Sequence, residues 1–235
     1  IVPDLPLGAH TIPMRADADL SPPAIADLVV ELLDALDVKQ AVVVGNDTGG
    51  AIAKLLAVRH PERVRALVLT PCECFENFLP PIYRYLQVVA HVPGATWPLS
   101  QSMRFTAVRR LPIAFGWLTK RPLEKLAYDS YLAAGQRSRG VRRDSAKVLR
   151  AIRRRYTIEA DAALAGFERP TLIAWASEDR VFPYRHGEAL AEILPDARLV
   201  AIADSYTYVP EDQPLVLAGE IDGFLASLSA DGLSG

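Results

Sequence analysis

The sequence predicts an α/β fold, a mostly parallel sheet flanked by helices, and three observations carry that expectation. Short apolar runs alternate with stretches of helical apolar spacing over residues 1–70 and again over 171–235, the pattern of parallel strands joined by crossover helices. A glycine-rich turn stands between one such strand and one such helix. The chain of 235 residues is 50% hydrophobic and 23% charged, enough to bury a sizeable core.

Taken in order, Ile1-Val2-Pro3-Asp4 reads as the end of a strand entering a loop from Leu5 to His10. Ser21-Pro22 supplies a cap and a proline at the first helical position. Ile25, Leu28, Val29, Leu32, Leu33 and Leu36 then follow at helical spacing. Ala41 to Val44 is an all-apolar strand, Gly50 to Val58 a helix stopped before Pro61, and Val64 to Leu69 a second buried strand. Residues 71–170 change character: they are rich in aromatic residues and arginine, helical in pattern, and interrupted at Pro80-Pro81, Pro93-Gly94 and Trp97-Pro98. The α/β rhythm returns with a strand from Thr171 to Ala176, a helix from Tyr184 to Ile193, a strand from Ala197 to Ala203 and a closing helix from Pro214 to Leu228. The expected organisation is therefore a core in two parts, 1–70 and 171–235, with an inserted helical cap at 71–170.

A net charge of -2 gives no overall attraction to polyanions, so nucleic acid is not an expected partner. No apolar run approaches the roughly 18 residues that span a bilayer, so no membrane partner is expected either. Cys72 and Cys74 are too close for an ordinary disulfide, and no second Cys/His pair completes a zinc site. A reduced, cytoplasmic setting without metal or cofactor fits this usage. A first residue other than Met points to a cut chain. The basic segment from Arg137 to Arg155 reads as a solvated helix face, because Val148, Leu149, Ile152 and Tyr156 form an apolar stripe opposite it.

The turn itself, Gly45-Asn46-Asp47-Thr48-Gly49-Gly50, has the chemistry of a nucleophile elbow. A group held on a sharp strand-to-helix turn needs small neighbours, because its backbone is strained and the helix packs close behind it. The helix start aims its N–H groups at developing negative charge. Asp47 stands at the position of the attacking group, and a carboxylate forms an ester on carbon without first losing a proton to a base.

From Pro3 to the C-terminus the chain resembles the α/β-hydrolase superfamily, on the branch of haloalkane dehalogenases and epoxide hydrolases. The matching pieces are Pro3-Asp4-Leu5-Pro6, Val44 to Gly50, Arg59-His60-Pro61-Glu62-Arg63-Val64 and Trp175 to Pro183. The resemblance implies an α/β-hydrolase fold and a hydrolase acting on a small, largely apolar organic molecule: an alkyl halide, an epoxide or an ester-like compound. It implies Asp47 as nucleophile, Asp179 as supporting acid with Glu73 and Glu76 as a second place for it, and the Thr48 N–H as anion-stabilising donor. It further implies a pocket whose apolar surface comes from cap aromatics, Phe75, Phe78, Tyr83, Trp97 and Tyr128 with Tyr85, Phe105, Phe115, Trp117 and Tyr131, and Tyr83, Tyr85, Tyr128 or Tyr131 able to protonate an epoxide oxygen.

The chain departs from that pattern in three places. Thr207, in Ser205 to Pro214, occupies the position of the family's histidine, and a hydroxyl cannot serve as the general base there. Of the chain's four histidines, His60 and His186 are expected to be structural, and His10 and His91, which could approach the pocket, are not expected to replace the base. Thr48 replaces the tryptophan with which dehalogenases hold the departing halide, and the family's earlier strands, with their second oxyanion donor, are absent before Ile1. Two rivals follow from these departures: a binding or sensor protein that kept the pocket, and a non-hydrolytic enzyme using Asp47 as general base.

Overall fold

The computed structural model describes the backbone of residues 1–231 and the side chains to 228. Helix α1 (Pro22–Ala35) begins at the proline, as the sequence predicts, but the Ser21 side chain makes no capping bond. Its Ile25, Ala26 and Leu33 are buried. Four strands form one sheet in the order β1-β2-β3-β4, all parallel: β1 (Ala41–Asp47), β2 (Val64–Cys72), β3 (Thr171–Ala176) and β4 (Ala197–Ile202). The expected strand at Ile1 to Asp4 is not formed. Residues 1–20 run as turns and extended chain, because Pro3 and Pro6 remove ladder donors and this segment pairs with no strand.

β3 is buried along its whole length, and β2 along all of it but Arg65, as expected for parallel strands covered on both faces. Side chains alternate between the two layers. Leu67, Leu69, Ile173 and Trp175 pack with α2 (Thr48–Arg59) and its neighbours, whereas Ala66, Val68, Leu172 and Ala174 pack on Leu217 and Phe224 of the last helix, α11 (Pro214–Asp231).

Between β2 and β3 the chain forms helices α3 (Tyr85–His91), α4 (Thr96–Ser102), α5 (Thr106–Arg109), α6 (Lys125–Arg137), α7 (Arg139–Ala151) and α8 (Arg154–Ala163). After β3 come α9 (Tyr184–Ile193), whose bounds match the periodicity, and the short α10 (Val209–Asp212).

The basic helix α7 is not a solvated face. Arg142 donates to Gly135 O (2.8 Å), Arg150 to Ala90 O (2.8 Å) and Lys147 to Ala16 O (2.9 Å). Buried Asp144 pairs with Arg143 and accepts from Met14 N–H (2.8 Å) and from His10 Nε2 (3.2 Å). These charges find carbonyls and one buried carboxylate, so they fasten the irregular first segment onto the helices. A second buried pair, Lys54 of α2 with Asp161 of α8, ties the elbow helix to the helical segment. Asp161 also accepts from Phe75 N–H at 2.5 Å. Removing one partner of such a buried pair typically costs 3–5 kcal/mol.

Candidate active site

β1 begins with the apolar run Ala41 to Val44 and hands over to α2 at its last residue, Asp47, whose φ of 51° and ψ of -131° lie outside the regions an L-residue prefers. Two of the three turn glycines are dictated by space. A Cβ on Gly45 would lie 2.6 Å from Gly50 Cα, and one on Gly50 would lie 2.3 Å from Cys72 Cβ. Gly49 has open space around it. The strained turn therefore stands because its own backbone and the end of β2 close over it.

Asn46 completes the turn in a way the sequence did not reveal. Its Nδ2 donates to Pro71 O (3.1 Å) and to Thr207 O (2.7 Å), joining the elbow to the end of β2 and to the loop before α10. That loop carries Tyr208, whose hydroxyl donates to Asp47 Oδ2 at 3.3 Å. Burial pushes the Asp47 carboxyl up to about 6, against the Tyr208 hydroxyl and the Thr48 N–H, which both favour the carboxylate.

Glu73, the first residue after β2, is buried and accepts from Thr48 Oγ1 at 2.9 Å through Oε1, while its Oε2 has no hydrogen-bond partner. Burial and the neighbouring Asp47 charge hold its carboxyl well above the ordinary carboxylate range. Glu76 is exposed, so of the two alternative acids only Glu73 belongs to the site.

Asp179 and Thr207 meet: Thr207 Oγ1 donates to Asp179 Oδ1 at 3.1 Å, and the same oxygen accepts from Val181 and Phe182 N–H at 2.7 Å each. Asp179 Oδ2 is buried without a hydrogen-bond partner among the described residues. Burial drives this carboxyl to about 7, opposed by the Phe182 and Val181 N–H groups and the Thr207 hydroxyl. None of the four imidazoles bonds to either aspartate. His10 is held by Asp144, His60 by Asp27 (2.8 Å) and His91 by Gln87 O (2.7 Å), and His186 Nδ1 is buried against the edge of Phe75 without a partner among the described residues.

Asp47, Thr48, Glu73 and Tyr208 face one cavity of about 440 Å³, walled by apolar side chains such as Leu79, Leu86, Met103 and Val148. Of the expected cap aromatics, Tyr83 lines it, whereas Phe75, Phe78, Trp97, Phe105, Trp117 and Tyr128 do not. Phe78 is buried in the core, Tyr128 is buried against Phe115, and Trp97 on α4 is 56% exposed. Phe75 has a φ of 53°, held by the Asp161 carboxylate and by Thr157 Oγ1 on its carbonyl (2.6 Å), which directs its ring to His186. Tyr85, Phe115 and Tyr131, also among the cap aromatics, line the cavity with Tyr83. The hydroxyls of Tyr83 and Tyr85 donate to backbone carbonyls, Ala114 O (3.2 Å) and Ile113 O (2.7 Å), and that of Tyr131 to Glu211. Among the described residues no group of three or more His, Cys, Asp or Glu side chains is gathered to hold a metal ion, and no helix is long and apolar enough to cross a membrane.

Known proteins of the same build are numerous. The chain is 31% identical over 240 residues to a 2-hydroxymuconate semialdehyde hydrolase of Pseudomonas sp. (strain CF600), covering 100% of this chain and 78% of that protein. It is 28% identical over 227 residues to a cis-3-alkyl-4-alkyloxetan-2-one decarboxylase of Shewanella oneidensis, covering 90% and 69%. A solved meta-cleavage product hydrolase from Pseudomonas fluorescens IP01 superposes with a TM-score of 0.73 at 19% identity, over 94% of this chain and 78% of that one. The model of the alpha/beta hydrolase family matches residues 1–220, and with the parallel sheet and the strained turn at its centre this chain belongs to that family.

Proposed function

We propose that this protein is a hydrolase in which the Asp47 carboxylate attacks an electrophilic carbon of a small, largely apolar organic substrate and forms an ester. One observation carries the reading: a carboxylate at the tip of a strained strand-to-helix turn faces a 440 Å³ cavity with apolar walls. The raised Asp47 carboxyl is still ionised near neutral pH, and the Thr48 N–H at the start of α2 stabilises negative charge beside it. Helices α3 to α8 act as the cover of the pocket, which divides the chain into core (1–70 and 171–235) and cap (71–170). Tyr83 and Thr48 contact substrate, and Asp179 with Thr207 forms a corner without a base.

The substrate class is an alkyl halide, an epoxide or an ester-like compound, as on the branch of haloalkane dehalogenases and epoxide hydrolases. The relative named for an oxetan-2-one, a strained oxygen ring, supports an electrophile of this kind. Incubation with a panel of the three classes, followed by intact and peptide mass spectrometry, tests the assignment. An adduct on the Asp47 peptide, lost in Asp47→Asn, is expected. Single turnover in heavy-oxygen water places the label in Asp47. If no compound yields adduct or product, the covalent reading is abandoned.

A second reading is favoured by the Thr207 to Asp179 bond, which fills the family's histidine position with a hydroxyl. In it Asp47 acts as general base in an elimination or rearrangement, or the cavity binds without turnover. Product formation with no label entering Asp47 would select the proton-transfer form.

A further inference from the structure

A covalent ester on Asp47 must be opened by water, and the residue that ordinarily draws the proton from that water is missing at position 207. We propose that Glu73 takes over proton transfer, as acid when the ester forms and as base when it is hydrolysed, and that the enzyme thereby selects epoxides over alkyl halides. This rests on the nucleophilic reading of Asp47.

The geometry places Glu73 where such a group has to be. It faces the same cavity as Asp47, its Oε1 is fixed by Thr48 Oγ1 at 2.9 Å, and its Oε2 is buried with no bond to satisfy it. Thr48 belongs to the elbow, so the two carboxyls are held to one another through a single residue. The alternatives are otherwise engaged: Tyr83 and Tyr85 donate to carbonyls, Tyr131 to Glu211, and Tyr208 to Asp47 itself. Burial and then the Asp47 charge both oppose ionisation of Glu73, which keeps the proton while Asp47 carries the charge.

The steps balance with no outside reagent. Asp47 carboxylate forms a bond to an epoxide carbon, the ring C–O bond breaks, and the released oxygen takes the Glu73 proton, leaving an uncharged hydroxy-ester and a Glu73 carboxylate. Glu73 then takes a proton from water, and the hydroxide adds to the acyl carbon of the ester while Thr48 N–H faces the oxyanion. Collapse breaks the bond to the alcohol oxygen, which takes the proton of the added hydroxyl. Asp47 returns as carboxylate, Glu73 as acid, and the product is a vicinal diol. An alkyl halide expels an anion that needs no proton, so Glu73 stays protonated and no base is generated for the second half. Acid and base roles alternating on one carboxyl are known from retaining glycoside hydrolysis.

Matched probes, 1,2-epoxyhexane and 1-bromohexane, separate the possibilities. The wild type is expected to convert the epoxide to diol repeatedly and to accumulate the hexyl ester of Asp47 from the bromide. Glu73→Gln, which keeps an acceptor for Thr48, should open the epoxide about 100-fold or more slowly, while alkylation by the bromide, which asks no proton of residue 73, should fall by less than about tenfold. Glu73→Asp should recover part of the epoxide activity. Epoxide turnover unchanged in Glu73→Gln overturns the proposal. So does an equal loss with both probes, which would make Glu73 a support of the elbow only. Asp47 unmodified by either probe in the wild type would instead overturn the nucleophilic reading, and the proposal with it.

Discussion

Two aspartates stand close to one another in this molecule and have opposite surroundings. Asp47 opens onto the cavity, receives the Tyr208 hydroxyl and has Glu73 beside it. Asp179 is closed in by two backbone N–H groups and the Thr207 hydroxyl, with its second oxygen buried without a hydrogen-bond partner among the described residues. In a hydrolase with an imidazole between them, the inner carboxylate would orient and charge-balance that ring. Here the outer group faces the cavity with a hydroxyl and a second carboxyl beside it, whereas the inner one is enclosed by hydrogen-bond donors. The fold supplies the position of a relay, and the side chain at 207 decides whether one exists.

The largest expected difference between the corners is in activity. Asp47→Asn should lower turnover by about 1000-fold or more, because no covalent step remains. Asp179→Asn should cost less than about tenfold, in contrast to the roughly 10⁴-fold loss when the same change is made behind a catalytic imidazole. A loss of that larger size in Asp179→Asn, measured as kcat/KM, would break the comparison.

Stability separates them next. Asp179 titrates near 7 in the folded protein and near 3.8 in the unfolded chain, so the folded state binds the extra proton. Its ionisation therefore costs stability progressively as pH rises from about 4 to about 7, on the order of 2–4 kcal/mol once complete. Asp179→Asn removes that cost. Its melting temperature should exceed that of wild type at pH 8, with the gap closing towards pH 4.

Thr207→His sharpens the contrast from the other side. An imidazole at 207 gives Asp179 Oδ2 a partner and supplies a base, and a tenfold or greater rise in hydrolysis of the Asp47 ester is expected, followed as loss of adduct mass with time. No change would mean that the loop does not direct position 207 at the ester.

The smallest effect concerns Tyr208. Its hydroxyl favours the Asp47 carboxylate, so Tyr208→Phe should move the lower limb of the pH–rate profile upward from about 6 by less than about one unit. A downward shift would exclude the donor role of the hydroxyl.

Much of this was legible in the sequence, for reasons that differ by region. β3 and α9 have the expected bounds because apolar runs and prolines mark both ends. The elbow was legible because its glycines answer a local demand, although only Gly45 and Gly50 are sterically required. The pairing of Asp179 with Thr207 followed from the order of elements in the resembled family, and the 3.1 Å bond joins them. Tyr208 and Asn46 carry no local signal, and Glu73 only that of a second place for the acid, because their roles depend on partners 161, 161 and 25 residues away. No local period encodes such a meeting. The cap aromatics divide for a related reason: composition says that they are in the segment, but a positive φ at Phe75, a core site at Phe78 and an exposed helix face at Trp97 decide where each points.

Asn46 grips the 207 loop by the main-chain carbonyl of Thr207, not by its side chain. Any residue at 207 offers that same carbonyl, so this anchor does not depend on the side chain there, although the side chain must still fit a fully buried site. Position 46 has no such freedom, since its amide spans two carbonyls at once. Mutational tolerance in this protein should accordingly be uneven. The residue that gives the relay its chemical identity is exchangeable, while its silent neighbour at the turn is the one that a library of variants would refuse to give up.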